Sequence, residues 1–218
     1  MSKLEGCLFD LDGVIVDTAK YHFLAWKKLA NELNIDFTLK HNELLKGVSR
    51  MQSLEIILNI GRIKLEENEK IALAEKKNNV YLTYIQKMEA DEIFPGVHSF
   101  IQDLRDHHVA IALGSASKNA MLILRQLQIE SLFDAIIDGT KVEKAKPNPE
   151  VFLKGAHALR CLPSKCVVFE DAIAGVEAAK NGGMYCVGIG DPDVLDKADR
   201  VIPGFKNFSY NDLLKDLK

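Results

Sequence analysis

Two acidic pairs carry the residue types and spacing that could perform chemistry in this sequence. Asp10 and Asp12 stand two residues apart in Phe-Asp-Leu-Asp-Gly, at the end of an apolar run. Side chains two apart in an extended segment project from the same face, and like charges this close are costly unless a cation or a proton relieves them. Glu170 and Asp171 form the second pair, again directly after an apolar run. Such carboxylates suit a hard cation, typically Mg²⁺, which binds carboxylates, waters and substrate phosphate.

Hydroxyl, amide and cationic groups that could bind a phosphate follow two other positions in the chain. The first set comprises Ser115, Ala116 and Ser117, followed by Lys118 and Asn119, which open a predicted helix. Hydroxyls and free backbone N–H groups at a helix start form a natural oxyanion site. Lys146, followed by Pro147, supplies a point charge. Each motif alone is weak, but together they favour phosphoryl transfer, which needs in-line positioning and charge neutralisation.

Alternating apolar runs and helical patterns indicate the elements that must position these residues. Continuous apolar runs predict five strands buried on both faces: Gly6–Phe9, Val109–Leu113, Ala135–Ile137, Cys166–Phe169 and Tyr185–Ile189. Helical patterns lie between them, at Val97–Asp106, Lys118–Leu127, Pro149–Leu159 and Ile173–Asn181. This alternation predicts an α/β fold with a Rossmann-like parallel sheet core and right-handed crossovers. Open sheets of this kind bind ligands outside the carboxyl ends of their strands, where the motifs lie.

The segment after the first strand has a different hydrophobic pattern. From about residue 19 to residue 90 it shows helical patterns and no strand pattern, and Phe23, Trp26 and Leu29 mark one apolar face. We expect residues 18–90 to form an inserted all-α helical cap domain, and residues 1–17 and 91–218 to form the α/β core domain. The dense charges from Lys64 to Lys77 are interpreted as the solvated side of helices. Lys77 could be a cap contact to substrate or one charge in this solvated run, and we favour the second interpretation.

Composition and charge limit the class of protein. The chain has 218 residues, of which 47% are hydrophobic and 27% charged, and its net charge of -3 argues against a general nucleic-acid binder. The four cysteines form no Cys-x-x-Cys pair, so they indicate buried thiols in a reducing compartment rather than zinc ligands. We find no signal peptide and no apolar run approaching the roughly 18 residues of a membrane span. We therefore expect a cytoplasmic monomer that contacts neither nucleic acid nor a membrane.

The motifs taken together resemble those of the haloacid dehalogenase superfamily, in its phosphotransferase branch. The resemblance rests on Leu-Phe-Asp-Leu-Asp-Gly-Val at residues 8–14, the Ser115 turn, Lys146-Pro147 and Glu170-Asp171. It covers the whole chain, cap included. It implies that Asp10 is the catalytic nucleophile and that Asp12 is the general acid and base.

The same resemblance implies how the metal and the reacting phosphoryl group are bound. Mg²⁺ would be the cofactor, held by Asp10, the backbone carbonyl of Asp12 and Asp171, with Glu170 assisting. Ser115 and Lys146 would bind the transferring phosphoryl group. A carboxylate is ionised at neutral pH, and a cation beside it lowers its repulsion from a phosphate dianion.

Three further segments are similar to one subfamily of that superfamily, phosphomutases that act on a hexose phosphate. They are Asp-Thr-Ala-Lys-Tyr-His at residues 17–22, Leu-Lys-Gly-Val-Ser-Arg at residues 45–50 and Gly-Ser-Ala-Ser-Lys-Asn at residues 114–119. The similarity implies hexose phosphates as partners, and phosphoryl exchange between positions 1 and 6 of β-glucose phosphate through β-glucose 1,6-bisphosphate. Met51-Gln52 departs from the acidic pair usual after the arginine, and Gly114 replaces a usual alanine.

A bisphosphate requires a second anion site distant from the nucleophile. Arg50 on the cap, with Ser117 and Asn119 on the core, could clamp this distal phosphate, because arginine suits bidentate phosphate binding. The other predicted substrate contacts are Thr18, His22, Lys46, Gly47, Ala116 and Lys118. His22 and Lys46 could orient Asp12 and the sugar hydroxyls. Thr18 could equally be a helix cap.

Two other functions fit the same residues. A sugar-phosphate phosphatase would share the core and pass the phosphoryl group to water. A non-catalytic sugar-phosphate-binding regulator is the third reading, and the complete acidic set argues against it.

Overall fold

The computed structural model describes residues 4–215 and residue 217, and their centre is a parallel sheet in the order β3-β2-β1-β4-β5-β6. The strands are β1 Gly6–Phe9, β2 Ala110–Gly114, β3 Ala135–Ile137, β4 Cys166–Glu170, β5 Tyr185–Ile189 and β6 Arg200–Ile202. The predicted α/β fold class is confirmed, and so are the five predicted strands to within one residue at each end. Strand β6 was not predicted, because Val201 and Ile202 are its only apolar residues and do not make a continuous apolar run.

Helices surround the sheet and fill the long insertion after β1. They are α1 Ala19–Glu32, α2 Leu39–Glu43, α3 Arg50–Gly61, α4 Glu67–Ile85, α5 Val97–Asp106, α6 Ala120–Gln126, α7 Glu150–Ala158, α8 Ile173–Asn181 and α9 Tyr210–Leu214. Helices α1 to α4 form the inserted cap, so the predicted helical insertion is confirmed in kind, whereas its bounds at residues 18 and 90 stay a prediction. Among the described residues, no helix has the length and apolar character needed to span a bilayer.

Strand register brings the motifs to one edge of the sheet. Phe9 at the end of β1 pairs with Leu113 of β2 on one side and with Phe169 of β4 on the other. The backbone N–H of Asp10 donates to the Phe169 carbonyl at 3.0 Å, which fixes the first residue beyond β1. The residues that follow these three strands therefore emerge side by side, where the strand order reverses around β1. Ligands bind at such switch points in open α/β sheets.

An aromatic cluster supports this edge from below. The rings of Phe9 and Phe169 stack with centroids 4.7 Å apart, and Phe100 and Phe205 pack against both. All four side chains are at most 2% exposed. Burial of each such ring stabilises the fold by roughly 1.5–3 kcal/mol. The residues that follow β1 and β4 are therefore anchored by a buried, closely packed aromatic cluster.

The cap has a hydrophobic core of its own. It is built from buried side chains of the inserted helices and their connections, including Trp26, Leu29, Phe37, Leu54 and Ile57. The apolar face marked by Trp26 and Leu29 in the sequence therefore packs inside the cap. A separate core allows the cap to hold its shape while facing the sheet edge across a cleft.

The two departures from the subfamily pattern have local explanations. Ser49 accepts from the Gln52 backbone N–H at 3.3 Å, and the Gln52 side chain accepts from the Ser49 N–H at 3.0 Å. Gln52 therefore completes a capping box that starts α3. A Cβ at Gly114 would lie 2.9 Å from a ring carbon of Phe152, so the glycine accommodates that ring.

Candidate active site

Three carboxylates converge where β1 and β4 end. One oxygen each of Asp10, Glu170 and Asp171 lies within 4.8 Å of the others. Gly13 makes this approach possible, because its φ is +81° and a Cβ there would overlap the Asp171 carboxylate. The donors are all oxygens, which suits Mg²⁺ rather than zinc.

Lys146 provides a buried cation inside this cluster. Its Nζ lies 2.7 Å from Asp10 Oδ1 and 2.6 Å from Glu170 Oε1, and its side chain is 1% exposed. Burial alone would lower the pKa of Lys146, but the charges of Asp10 and Glu170 outweigh it and raise the pKa. Lys146 therefore stays cationic next to the predicted nucleophile.

The single positive charge of Lys146 does not neutralise the three carboxylates of this cluster. Burial, together with repulsion from the neighbouring carboxylates, raises the pKa of both Glu170 and Asp171. Glu170 is largely committed within the protein, because Oε1 pairs with Lys146 and Oε2 accepts from the Ala172 N–H at 2.9 Å. A divalent cation at Asp10 and Asp171 would relieve the remaining repulsion, so these residues fit the predicted metal.

Asp12 is set up to exchange a proton near neutral pH. Burial, and then the charge of Asp10, raise its pKa to about 6. The buried hydroxyl of Thr18 donates a hydrogen bond to Asp12 Oδ1. Thr18 stands at the N-cap of α1 without a side-chain capping bond, so its hydroxyl serves Asp12 rather than the helix. An acid with a pKa close to the working pH suits general acid–base catalysis.

The predicted phosphate-binding turn lies between β2 and α6. Ser115 is fully buried and its Oγ accepts from the Ser117 N–H at 3.0 Å, while Ser117 Oγ accepts from the Asn119 N–H at 3.2 Å. These bonds hold the turn in a fixed shape. Helix α6 begins only at Ala120, so Lys118 and Asn119 lie in the turn before it and not in the predicted helix.

Cap and core enclose a cavity of ≈ 550 Å³ over the strand ends. Most predicted site residues line it, namely Asp10, Asp12, His22, Lys46, Gly47, Arg50, Ala116, Ser117, Lys118, Asn119 and Asp171. The buried side chains of Thr18, Ser115, Lys146 and Glu170 lie behind this lining. Arg50 is the first residue of α3, and Lys46 pairs with Glu43 at 2.9 Å.

The interpretation of Lys77 as a solvated charge was wrong. Its side chain is 3% exposed, its Nζ lies 2.9 Å from His22 Nδ1, and the Trp26 and Tyr81 rings are each 4.6 Å away. Burial, and then the charge of Arg50, lower its pKa to about 7. The signal was present in the sequence, because Ala74, Lys77, Tyr81 and Ile85 repeat at the spacing of one helical face.

His22 shares this environment. It is half-buried and its ring lies 4.2 Å from the Tyr81 ring. Burial, and then the charges of Lys77 and Arg50, lower its pKa well below the usual value. A neutral imidazole can accept the Lys77 hydrogen bond through Nδ1. The cap therefore presents a hydrogen-bonded Lys–His pair to the cavity rather than a surface histidine.

Comparisons with known proteins show which proteins this chain is similar to. A family model described as haloacid dehalogenase-like hydrolase matches residues 7–189. The chain is 43% identical to a β-phosphoglucomutase of Bacillus subtilis, over 91% of this chain and 89% of the relative. It is 32% identical to a phosphorylated carbohydrates phosphatase of Thermotoga maritima, over 83% and 82%. A crystal structure of β-phosphoglucomutase from Clostridium difficile superposes with a TM-score of 0.94 at 42% identity, covering 98% of this chain and 96% of that one.

Proposed function

The chain belongs to the haloacid dehalogenase-like hydrolase family, and on that premise we propose that it is a β-phosphoglucomutase. It interconverts β-D-glucose 1-phosphate and β-D-glucose 6-phosphate through β-glucose 1,6-bisphosphate. The comparisons confirm the family predicted from the motifs and the resemblance to its β-phosphoglucomutase subfamily.

One observation carries the choice of a mutase. A single cavity is lined at once by the candidate nucleophile and acid, Asp10 and Asp12, and by a group of anion-binding side chains, Arg50, Ser117 and Asn119. A mutase must hold one phosphate at the nucleophile and the other at a distance. Arginine and amide donors satisfy the charge and hydrogen-bonding needs of that second phosphate.

The first half-reaction transfers a phosphoryl group to Asp10. A carboxylate oxygen of Asp10 attacks phosphorus, a bond to that oxygen forms, and the bond from phosphorus to the sugar oxygen breaks. Lys146, already 2.7 Å from Asp10, offsets the charge that accumulates there. Asp12 gives its proton to the departing sugar oxygen.

The second half-reaction reverses the first and returns the phosphoryl group from Asp10 to the other of the two reacting sugar hydroxyls. Asp12 removes the proton from that hydroxyl, the sugar oxygen attacks the aspartyl phosphate, and the Asp10 carboxylate leaves. Thr18 holds Asp12 in place through its hydrogen bond. The cap limits the access of water, which would otherwise compete as acceptor.

Mg²⁺ would be held by Asp10 and Asp171, with Glu170 assisting, and by the backbone carbonyl of Asp12. It would supply charge neutralisation for the phosphoryl oxygens. We expect chelation to abolish activity and added Mg²⁺ to restore it, because three carboxylates exceed the one charge of Lys146. The matched variant is Asp171→Asn, which should need more Mg²⁺ for half-maximal rate. Undiminished turnover in a thoroughly chelated, metal-free sample would refute this site.

A coupled assay tests the function. β-Glucose 1-phosphate is supplied with Mg²⁺ and a trace of β-glucose 1,6-bisphosphate, and glucose 6-phosphate and free phosphate are followed together. We expect glucose 6-phosphate to form with little free phosphate, and Asp10→Asn to form neither. Release of free phosphate in step with substrate loss would favour a phosphatase. Binding without either product would favour a regulator.

A further inference from the structure

We propose that Asn78 is a positioning residue that orients Asn119 toward the distal phosphate, an inference that rests on the proposed function. Asn78 lies in α4 of the cap, and Asn119 lies in the core turn before α6. The Asn119 Nδ2 donates a hydrogen bond to Asn78 Oδ1 at 2.8 Å. Both side chains are half-buried and line the cavity. The bond therefore joins cap and core within the substrate cavity.

The chemistry of a side-chain amide explains why orientation matters. A primary amide has a donor end with two N–H groups and an acceptor end, and a phosphate dianion only accepts. If Asn119 turned its Oδ1 toward a phosphate, the two acceptors would repel each other. The bond to Asn78 engages one N–H of Asn119 and leaves the second for an anion. Because Asn78 accepts this bond, Asn119 is restrained with a second N–H available for an anion.

The rest of Asn119 cannot fix this orientation by itself. Its backbone N–H is bonded to Ser117 Oγ at 3.2 Å, which sets the turn but leaves the side-chain torsions free. Ordering a rotamer on binding costs affinity, and a partner that orders it beforehand reduces that cost. Asn78 supplies such a partner from α4, the cap helix that also carries Lys77. The affinity of Asn119 for the distal phosphate therefore depends on the position of the cap.

The neighbouring Asn79 offers a matched control. It lies on the same helix, is exposed and does not line the cavity. Asparagine-to-alanine changes at residues 78 and 79 alter helix propensity equally, so a difference between them reports the side-chain contact.

The test measures binding of β-glucose 1,6-bisphosphate by calorimetry with Mg²⁺, in an Asp10→Asn background that cannot turn the ligand over. Asn78→Ala should weaken binding roughly threefold to tenfold, as expected when the Asn119 side chain must be ordered on binding instead of beforehand. Asn79→Ala should leave the dissociation constant unchanged. Asn119→Ala should weaken binding at least as much as Asn78→Ala. Adding Asn78→Ala to it should then have no further effect, because Asn78 acts through Asn119.

Either of two results would overturn the assignment. One is unchanged binding in the Asn78→Ala variant, and the other is a double variant whose losses simply add. Far-ultraviolet circular dichroism and thermal unfolding of each variant separate a folding defect from a local one. The coupled assay on the wild-type chain is independent, so a failure of the mutase function and a failure of the Asn78 assignment give different results.

Discussion

Lys77 lies in an environment very different from that of a free, solvated lysine side chain. It faces His22 and the Tyr81 ring directly, and the charges of Arg50 and Asp12 act on it. A buried ammonium is tolerated here because a neutral imidazole accepts its hydrogen bond and two aromatic faces stabilise it. Its positive charge also lowers the pKa of Asp12, opposing the effects of burial and of Asp10. Lys77 thus contributes to the proton affinity of the candidate acid.

We predict a pH-dependent stability effect of Lys77→Met. Because the pKa of Lys77 falls from 10.5 to about 7 on folding, the unfolded chain binds more protons between these values. Wild-type stability therefore rises with pH across that window as the buried charge is lost. Lys77→Met, which has no such charge, should exceed the wild type in stability most at or below pH 7, and the difference should shrink toward pH 10.5.

Chemical denaturation at several pH values measures this difference. The exposed Lys76 on the same helix provides the control, and Lys76→Met should show no comparable pH dependence. A constant difference between Lys77→Met and the wild type from pH 6 to pH 10 would contradict the lowered pKa.

Replacement of Arg50 tests whether the phosphoryl group passes to a sugar or to water. We predict that Arg50→Ala strongly lowers mutase turnover and raises the proportion of phosphate lost to hydrolysis. A lost charged hydrogen bond typically costs about 1.5–3 kcal/mol, and the cap should close less completely over the substrate. Phosphoryl transfer from acetyl phosphate, which has no distal phosphate, should change much less.

Steady-state rates with both donors provide the measurement, and Lys64→Ala, at an exposed cap residue outside the cavity, is the control. If Arg50→Ala lost activity equally with acetyl phosphate and with the bisphosphate, Arg50 would support the core chemistry or the fold. The distal phosphate site on the cap would then be wrong.

At the scale of the element, the start of α3 fixes the position of Arg50. Ser49 and Gln52 form a capping box around the first turn of this helix. We predict that Ser49→Ala destabilises the protein by about 1 kcal/mol and also raises the KM for the bisphosphate, because the helix end that carries Arg50 frays.

Ser209→Ala is the matched control, since it removes the same kind of cap from α9, outside the cavity. Thermal unfolding should report a similar loss of stability for both variants, whereas only Ser49→Ala should change KM. Equal KM values would show that α3 does not depend on its cap to place Arg50.

The elements that could be predicted from sequence are those whose signals are local. Strands β1, β3 and β5 and helices α5 and α8 have the predicted bounds, because continuous apolar runs and turn residues delimit them. Strand β6 and helix α9 are short and lack such runs. In α4 the density of charge obscured a buried face that contains a lysine.

At the scale of the whole molecule, the core half of the site was predictable and the cap half only in part. Asp10, Ser115 and Asp171 follow neighbouring parallel strands, so topology alone brings them together. The contact between Asn78 and Asn119 depends on how the cap packs over the sheet. That arrangement is tertiary, and no spacing in the sequence encodes it.

The separate cores of cap and sheet also explain how one site can serve two phosphates. The reacting end is built on the rigid sheet edge, whereas Arg50 and Lys77 belong to helices of the inserted cap. A substrate that bridges both parts gains contacts only when the two are close. Closure would then favour sugar phosphates over water as acceptors.

The most direct test locates the phosphoryl group during turnover. The enzyme is mixed with β-glucose 1,6-bisphosphate labelled in its phosphates and Mg²⁺, quenched in acid, and mapped by mass spectrometry. We predict a phosphate on Asp10 that passes to added β-glucose 1-phosphate in a chase and is missing from Asp10→Asn, which should be inactive. Label on a different residue, or normal turnover by Asp10→Asn, would contradict the covalent mechanism.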